Sequence, residues 1–252
     1  MSRTVFFKKL KSMLKVDFKR MFTMPLVYIM AGVSLVLPVL ILVMTTLTGG
    51  ENGDAAGFTN VWQSIGSVSG TGLSMDLTGM CNINMLYFLV AVLVCVFVAE
   101  DFKSGYSKNL FAVRAGKTDY VISKTLATFT GATIMFVAYF IGVMLGGAIA
   151  GLSFSAEGFG AGGIAACMLS KIFMIAVFVA IALLLSVVAK QRLWISILGS
   201  FAAGMLLFTM IPIVTPLNSG FLNIIMTLAG GALFAAGLGA VSRLILNKTS
   251  LA

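Results

Sequence analysis

The residues of this chain that could do chemistry are few, and their spacing suits recognition better than catalysis. The chain has no histidine and three cysteines, Cys81, Cys95 and Cys167. With neither paired Cys spacing nor any His, it lacks the donor set of a metal site, and three scattered cysteines make no disulfide framework. No Ser–His or Cys–His arrangement is possible, so nothing here would hydrolyse a substrate. No G-x4-GK[ST] loop occurs either, and no polar stretch is long enough for a nucleotide-binding domain. The chain is therefore expected not to be an enzyme on its own. What remains is one charged segment, Glu100–Lys124, reading EDFKSGYSKNLFAVRAGKTDYVISK. Charges crowd both its ends, Gly105 breaks the preceding element, and Thr118 is placed to cap the next helix ahead of Asp119. Tyr106, Leu110 and Val113 fall at helical spacing, which predicts a short amphipathic helix on which a soluble partner can dock.

The elements that must position this segment are apolar. Hydrophobic residues make up 60% of the 252 and charged residues 10%, which excludes an ordinary soluble domain. Six runs approach the roughly 20 residues needed to cross a ~30 Å hydrocarbon core. They are Leu26–Leu47, Ile83–Ala99, Leu126–Leu152, Ile172–Ala189, Leu193–Thr215 and Asn223–Leu246. Lys and Arg divide unevenly between their connections. Of the 17 basic residues, only Lys171 falls in the alternate connections; the others lie before the first run, between runs two and three, between runs four and five, or in the tail. The positive-inside rule then predicts six spans with both termini in the cytoplasm. On that topology the inner side carries +12 and the outer side −3 of the +9 total. A basic protein can bind nucleic acid, but these charges flank membrane spans, and anionic headgroups explain them better. No secretory signal is expected ahead of the first run.

Before that run, Phe6, Leu10, Met13, Leu14, Phe18 and Met21 recur every three or four residues while lysines take the other face. This predicts an interfacial amphipathic helix over residues 1–24, apolar side down, with Pro25 at the corner where the chain turns to cross. Simple anchoring accounts for it; a surface for a partner is the sharper alternative. The expected fold is therefore an all-α integral membrane protein, a single transmembrane domain over 1–252, with 100–124 as a cytoplasmic loop.

Glu-x4-Gly-x2-Lys-Asn (Glu100, Gly105, Lys108, Asn109), followed by a basic residue and by Lys124 at the third span, resembles the first inner loop of ATP-binding-cassette type-2 permeases. The six runs, the basic helix before the first and the Pro/Gly-rich end after the fifth are similar to the same family. Ala115-Gly116-Lys117 departs from the Ser-Arg often found there. The resemblance implies that Glu100, Gly105, Tyr106, Lys108, Asn109 and Arg114 couple the spans to a cytoplasmic ATPase subunit, which would hold ATP and Mg while this chain binds no cofactor. It further implies a second permease copy or a homologous one, a bacterial cytoplasmic membrane, and export of amphipathic peptides, as in toxin export, bacteriocin self-protection or drug efflux. The bland alternative is that the charges merely solvate a short loop, which leaves the ordered Gly and Asn unexplained.

Within the runs there is no acidic residue, which argues against proton- or sodium-coupled transport. Lys171 is expected as a snorkelling anchor at the outer end of Ile172–Ala189. Gly142, Gly146, Gly147 and Gly151 form small-x3-small pairs for close helix packing, inside the molecule or across a dimer seam. Pro38 should kink the first span. Pro212 and Pro216, with Asn218 and Gly220, should end the fifth early, which the resemblance implies is a short re-entrant structure. The outer stretch Thr48–Asn82, rich in Gly, Ser and Thr, is an inert connection or a lid. Sixteen Met and twenty Phe suit an adaptable apolar path for a peptide, or simply face lipid.

Overall fold

The structure, a computed structural model, describes residues 3–48, 60–66, 82–112, 116–155, 160–208 and 210–248. Among them the regular elements are all helical: α1 (Arg3–Thr23), α2 (Pro25–Thr48), α3 (Leu86–Lys103), α4 (Tyr106–Ala112), α5 (Lys117–Ala150), α6 (Ala161–Ala189), α7 (Leu193–Phe208), α8 (Ile211–Val214) and α9 (Phe221–Lys248), with 3-10 turns at Val61–Ser64 and Ile83–Met85. Pro25 stands at the first position of α2, where its missing N–H costs nothing. Pro38 lies inside α2, which continues through it.

Five helical stretches among the described residues are long and apolar enough to cross a membrane: Pro25–Leu47, Ile83–Lys103, Lys117–Ala150, Ala161–Ala189 and Phe221–Lys248. The fifth run, Leu193–Thr215, does not form one long helix. It breaks after Phe208 into the 16-residue α7 and the four-residue α8. At 1.5 Å per residue α7 reaches only about 24 Å. Two other boundaries move the opposite way. α5 begins at Lys117 rather than near Leu126, and α6 at Ala161 rather than Ile172. A helix does not stop at a charge whose side chain finds a partner, so Lys124 and Lys171 both lie inside helices.

The core is built round α3, of whose apolar window 72% is buried, against 22% for α2 and 11% for α9. α3 packs on α5, α6 and α7, while the two outermost helices pair closely, α2 with α5 and α9 with α6. Tyr87 stacks on Phe178 at 4.3 Å between centroids and meets Phe136 at 5.0 Å. The outward faces of α2, α7 and α9 carry exposed Ile29, Leu40, Leu198, Leu206, Leu233 and Leu244. A bundle with an apolar exterior suits lipid as solvent and makes this a multi-pass, membrane-type fold.

In lipid the hydrophobic effect does not press helices together, so close approach must come from small residues. Gly142 and Gly146 serve that end on α5. A Cβ at Gly142 would collide with the Leu35 carbonyl, and one at Gly146 would lie 2.8 Å from the Val39 Cα. At Gly147 it would collide with Val61. These three glycines thus seat α2 and the 61–64 turn inside the molecule. Gly151 differs from them. At φ 69° it ends α5 in the left-handed region, with nothing near its Cβ position. Of the long outer connection, residues 60–66 are described, and they are tied down. Val61 N–H donates to Ser153 O at 3.1 Å and Trp62 Nε1 to Phe154 O at 3.2 Å.

Candidate functional site

The charged end of the bundle, where α3 stops, α4 runs across and α5 starts, holds a buried cluster of ions. α1 supplies Asp17 and Arg20, α3 supplies Asp101, and α5 supplies Lys124. Lys124 Nζ lies 2.8 Å from Asp17 Oδ1 and 2.7 Å from Asp101 Oδ2. Arg20 Nη1 donates to Asp101 Oδ1 at 2.6 Å. Tyr120 OH donates to Asp101 Oδ2 at 2.9 Å, and Ser123 Oγ to Asp17 Oδ2 at 2.5 Å. The side chains of Asp17, Asp101 and Lys124 are wholly buried, and Arg20 keeps 27% of its side chain exposed. Two anions and two cations cancel, which is what permits so many charges away from water. The Lys124 ammonium also lies 3.9 Å from the Phe97 ring centroid, and the Arg20 guanidinium 4.0 Å from that of Tyr106.

This arrangement changes the role of α1. The residues it buries are Met13, Asp17 and Met21, one stripe at four-residue spacing that packs on α5. Phe7 and Val16 stay exposed, nine residues apart and so on opposite sides of the helix. α1 is thus bolted to the bundle through ions as well as resting beside it. Burial works against the Arg20 charge, but Asp101 outweighs it and raises the pKa. Burial, aided by Asp17, raises that of the Tyr106 phenol, so both groups keep their neutral-pH protonation over a wide range.

The residues singled out from the sequence surround this cluster. Glu100 closes α3 on its exposed side; its carbonyl accepts from the Ser104 N–H at 2.9 Å and from Ser104 Oγ at 2.7 Å. Gly105, at φ 71°, turns the chain from α3 into α4, a left-handed conformation that a Cβ would strain. Its carbonyl then accepts from the Asn109 N–H at 3.2 Å, starting α4. Lys108 and Asn109 point to solvent, while Tyr106 tucks beneath Arg20. Arg114 lies outside the described residues. Glu100, Lys108 and Asn109 therefore present an exposed rim, and Tyr106 links it to the ions beneath. Asp17, Arg20, Asp101, Tyr120 and Ser123 were not singled out from the sequence. A signal for them existed: an acidic residue on the apolar face of a basic helix, and a lysine two residues ahead of an apolar run.

The second polar constellation corrects an expectation. Lys171 is not an anchor at a helix end. It lies about 15 Å of helix beyond the start of α6 and is fully buried. Its Nζ donates to Asn84 Oδ1 at 2.8 Å and to Thr215 Oγ1 at 3.1 Å, and its carbonyl accepts from Tyr87 OH at 2.9 Å. Among the described residues no carboxylate pairs with it. Lys171 therefore joins three elements, the turn before α3, α6, and the turn after α8, through neutral oxygens only. Among the described residues no group of three or more His, Cys, Asp or Glu could hold a metal ion. Comparison with protein-family models, with curated proteins and with solved structures finds no match to this chain.

Proposed function

We propose that this chain is the membrane-spanning permease subunit of an ATP-driven exporter of the ATP-binding-cassette type-2 kind. In this reading α7 with α8 completes a set of six spans, both termini are cytoplasmic, and the membrane is the bacterial cytoplasmic membrane. Two such subunits, identical or paired with a sibling, join two soluble ATPases that bind ATP and Mg. The cargo class is an amphipathic or hydrophobic peptide drawn from the cytoplasm or the bilayer.

The observation that carries the reading is the connection between α4 and three other helices. α4 presents Lys108 and Asn109 outward, is joined to α3 by the positive-φ Gly105, and rests through Tyr106 on Arg20 and hence on Asp101 and Lys124. A force applied to α4 would reach α1, α3 and α5 together, because separating those ions in a buried site costs several kcal/mol. Such a link, with an exposed rim on α4, suits a chain moved by a soluble partner. ATP binding to the partner acts only by favouring one of two arrangements of the spans.

Affinity purification of the full chain from its own cells is expected to bring down a soluble protein carrying Walker motifs. In the reconstituted complex, Glu100→Ala is expected to leave ATP hydrolysis intact while cutting transport at least tenfold. Purified chain that moves cargo unaided at full rate overturns the proposal.

One observation favours a second reading, an ion-coupled carrier: an intramembrane ionisable residue such as Lys171 commonly marks a substrate or ion path. An imposed ion gradient driving uptake in ATP-depleted vesicles would establish it, and loss of that uptake in Lys171→Met would locate it.

A further inference from the structure

Between α5 and α9 runs an open groove of about 410 Å³. The two helices are antiparallel neighbours, joined at the charged end of the bundle by Lys117 Nζ, which donates to Leu246 O at 2.6 Å. The groove follows them from Thr118 and Arg243 at that end to Leu126 and Ala235 at depth. Its length is about 12 Å of helix, most of one leaflet of a ~30 Å core. The walls are apolar, Val121, Ile122 and Leu126 on one side and the small Ala236, Gly239 and Ala240 on the other. The small residues create the space. Arg243 at the mouth is exposed, and among the described residues no carboxylate pairs with it.

We propose that this groove binds one anionic phospholipid, its acyl chain along Val121, Ile122 and Ala236 and its phosphate on Arg243. Charge and shape select this occupant. An apolar slot that deepens into the membrane from an unpaired guanidinium at the surface matches a hydrocarbon chain hung from an anion. Arg offers a fork of N–H donors matched to phosphate oxygens. A second copy of the chain, meeting this one through the same patch, would bring two Arg243 side chains to one apolar contact with no acid to offset them. The site does not depend on how transport is powered, or on whether the chain transports anything.

The test uses the purified full chain in nanodiscs of equal phosphatidylglycerol and phosphatidylcholine, with retained lipid read by native mass spectrometry. The wild type is expected to hold one lipid per chain and to prefer phosphatidylglycerol about fivefold, the contribution of one basic residue at a membrane surface. Arg243→Gln should bring that preference to parity. Arg192→Gln, at the same end of the bundle but away from the groove, should leave it unchanged. Ala236→Phe fills the slot and should abolish retention with the helical signal unaltered; if that variant does not fold, the exposed Arg243 decides alone. An unchanged preference in Arg243→Gln overturns the proposal. So does efficient disulfide capture of two chains through Ala236→Cys, which would make the groove a seam between copies.

Discussion

Lys124 and Asp101 meet at 2.7 Å with both side chains wholly buried, and this contact ties the end of α3 to the beginning of α5. Asp17 on the other side of the ammonium adds α1 to the same knot. Removing one member leaves the others charged and dry, which costs more than the pair contributes when intact. Lys124→Met, which leaves the Asp17 carboxylate without a cation while Asp101 keeps Arg20, is expected to lower stability by about 3–5 kcal/mol. Asp17→Asn/Lys124→Met, which removes one charge of each sign and leaves the Arg20–Asp101 pair intact, should recover more than half of that loss. Unfolding in mild detergent, followed by intrinsic fluorescence, measures both; a double variant no better than the single would show that the ions are not coupled.

Gly105 makes a narrower prediction. Its φ of 71° costs an L-residue about 1 kcal/mol. Gly105→Ala should destabilise by about that amount, and Gly105→Asn by less, since Asn tolerates the left-handed region better. In the reconstituted complex both should weaken transport more than ATP hydrolysis, because the bend sets the angle of α4. Equal loss of the two activities would argue for general damage instead.

The glycines of the transmembrane helices should separate sharply on substitution. A methyl at Gly142 meets the Leu35 backbone carbonyl, which cannot swing aside, whereas one at Gly237 meets nothing within 4 Å. Gly142→Ala is therefore expected to cost about 1–3 kcal/mol by overpacking. Gly237→Ala should lie within about 1 kcal/mol of the wild type, on the stabilising side. Thermal melting of the two variants side by side tests this; similar melting temperatures would contradict the close α2–α5 approach.

Lys171 offers the clearest contrast between stability and function. Its side chain is fully buried and, among the described residues, no carboxylate pairs with it; a lysine at the bilayer centre costs about 2.5–3.5 kcal/mol on insertion scales. Lys171→Met keeps the volume and removes the charge, so it should be as stable as the wild type or more so by about 1–2 kcal/mol. A charge held at that expense has a use, and transport by Lys171→Met should fall at least tenfold. A variant less stable yet fully active would reduce Lys171 to a structural pin between Asn84 and Thr215.

Composition and the length of the apolar runs determined the broad class: a helical, membrane-type protein with a charged segment between the second and third long helices. Backbone groups in lipid must bond within their own helix, so such helices announce themselves locally. Gly105 was legible for the same reason, since a break between charged and apolar stretches is a local event. The fate of a charge was not. Lys124 and Lys171 each stand just ahead of an apolar run, yet one joins an ion cluster and the other two neutral oxygens. Those partners lie 23 to 107 residues away along the chain, at Asp101 and Asp17 for the first and at Asn84 and Thr215 for the second, and only the packing of helices brings them within 3.1 Å. The same holds for the fifth run. Its apolarity matches a span, but Pro212 and its neighbours divide it, and the turn at Thr215 is held by a lysine from another helix. Periodicity reports the face a helix offers; which neighbour accepts it depends on three-dimensional proximity, because a buried ion or hydrogen bond is stabilised only by what stands beside it in space.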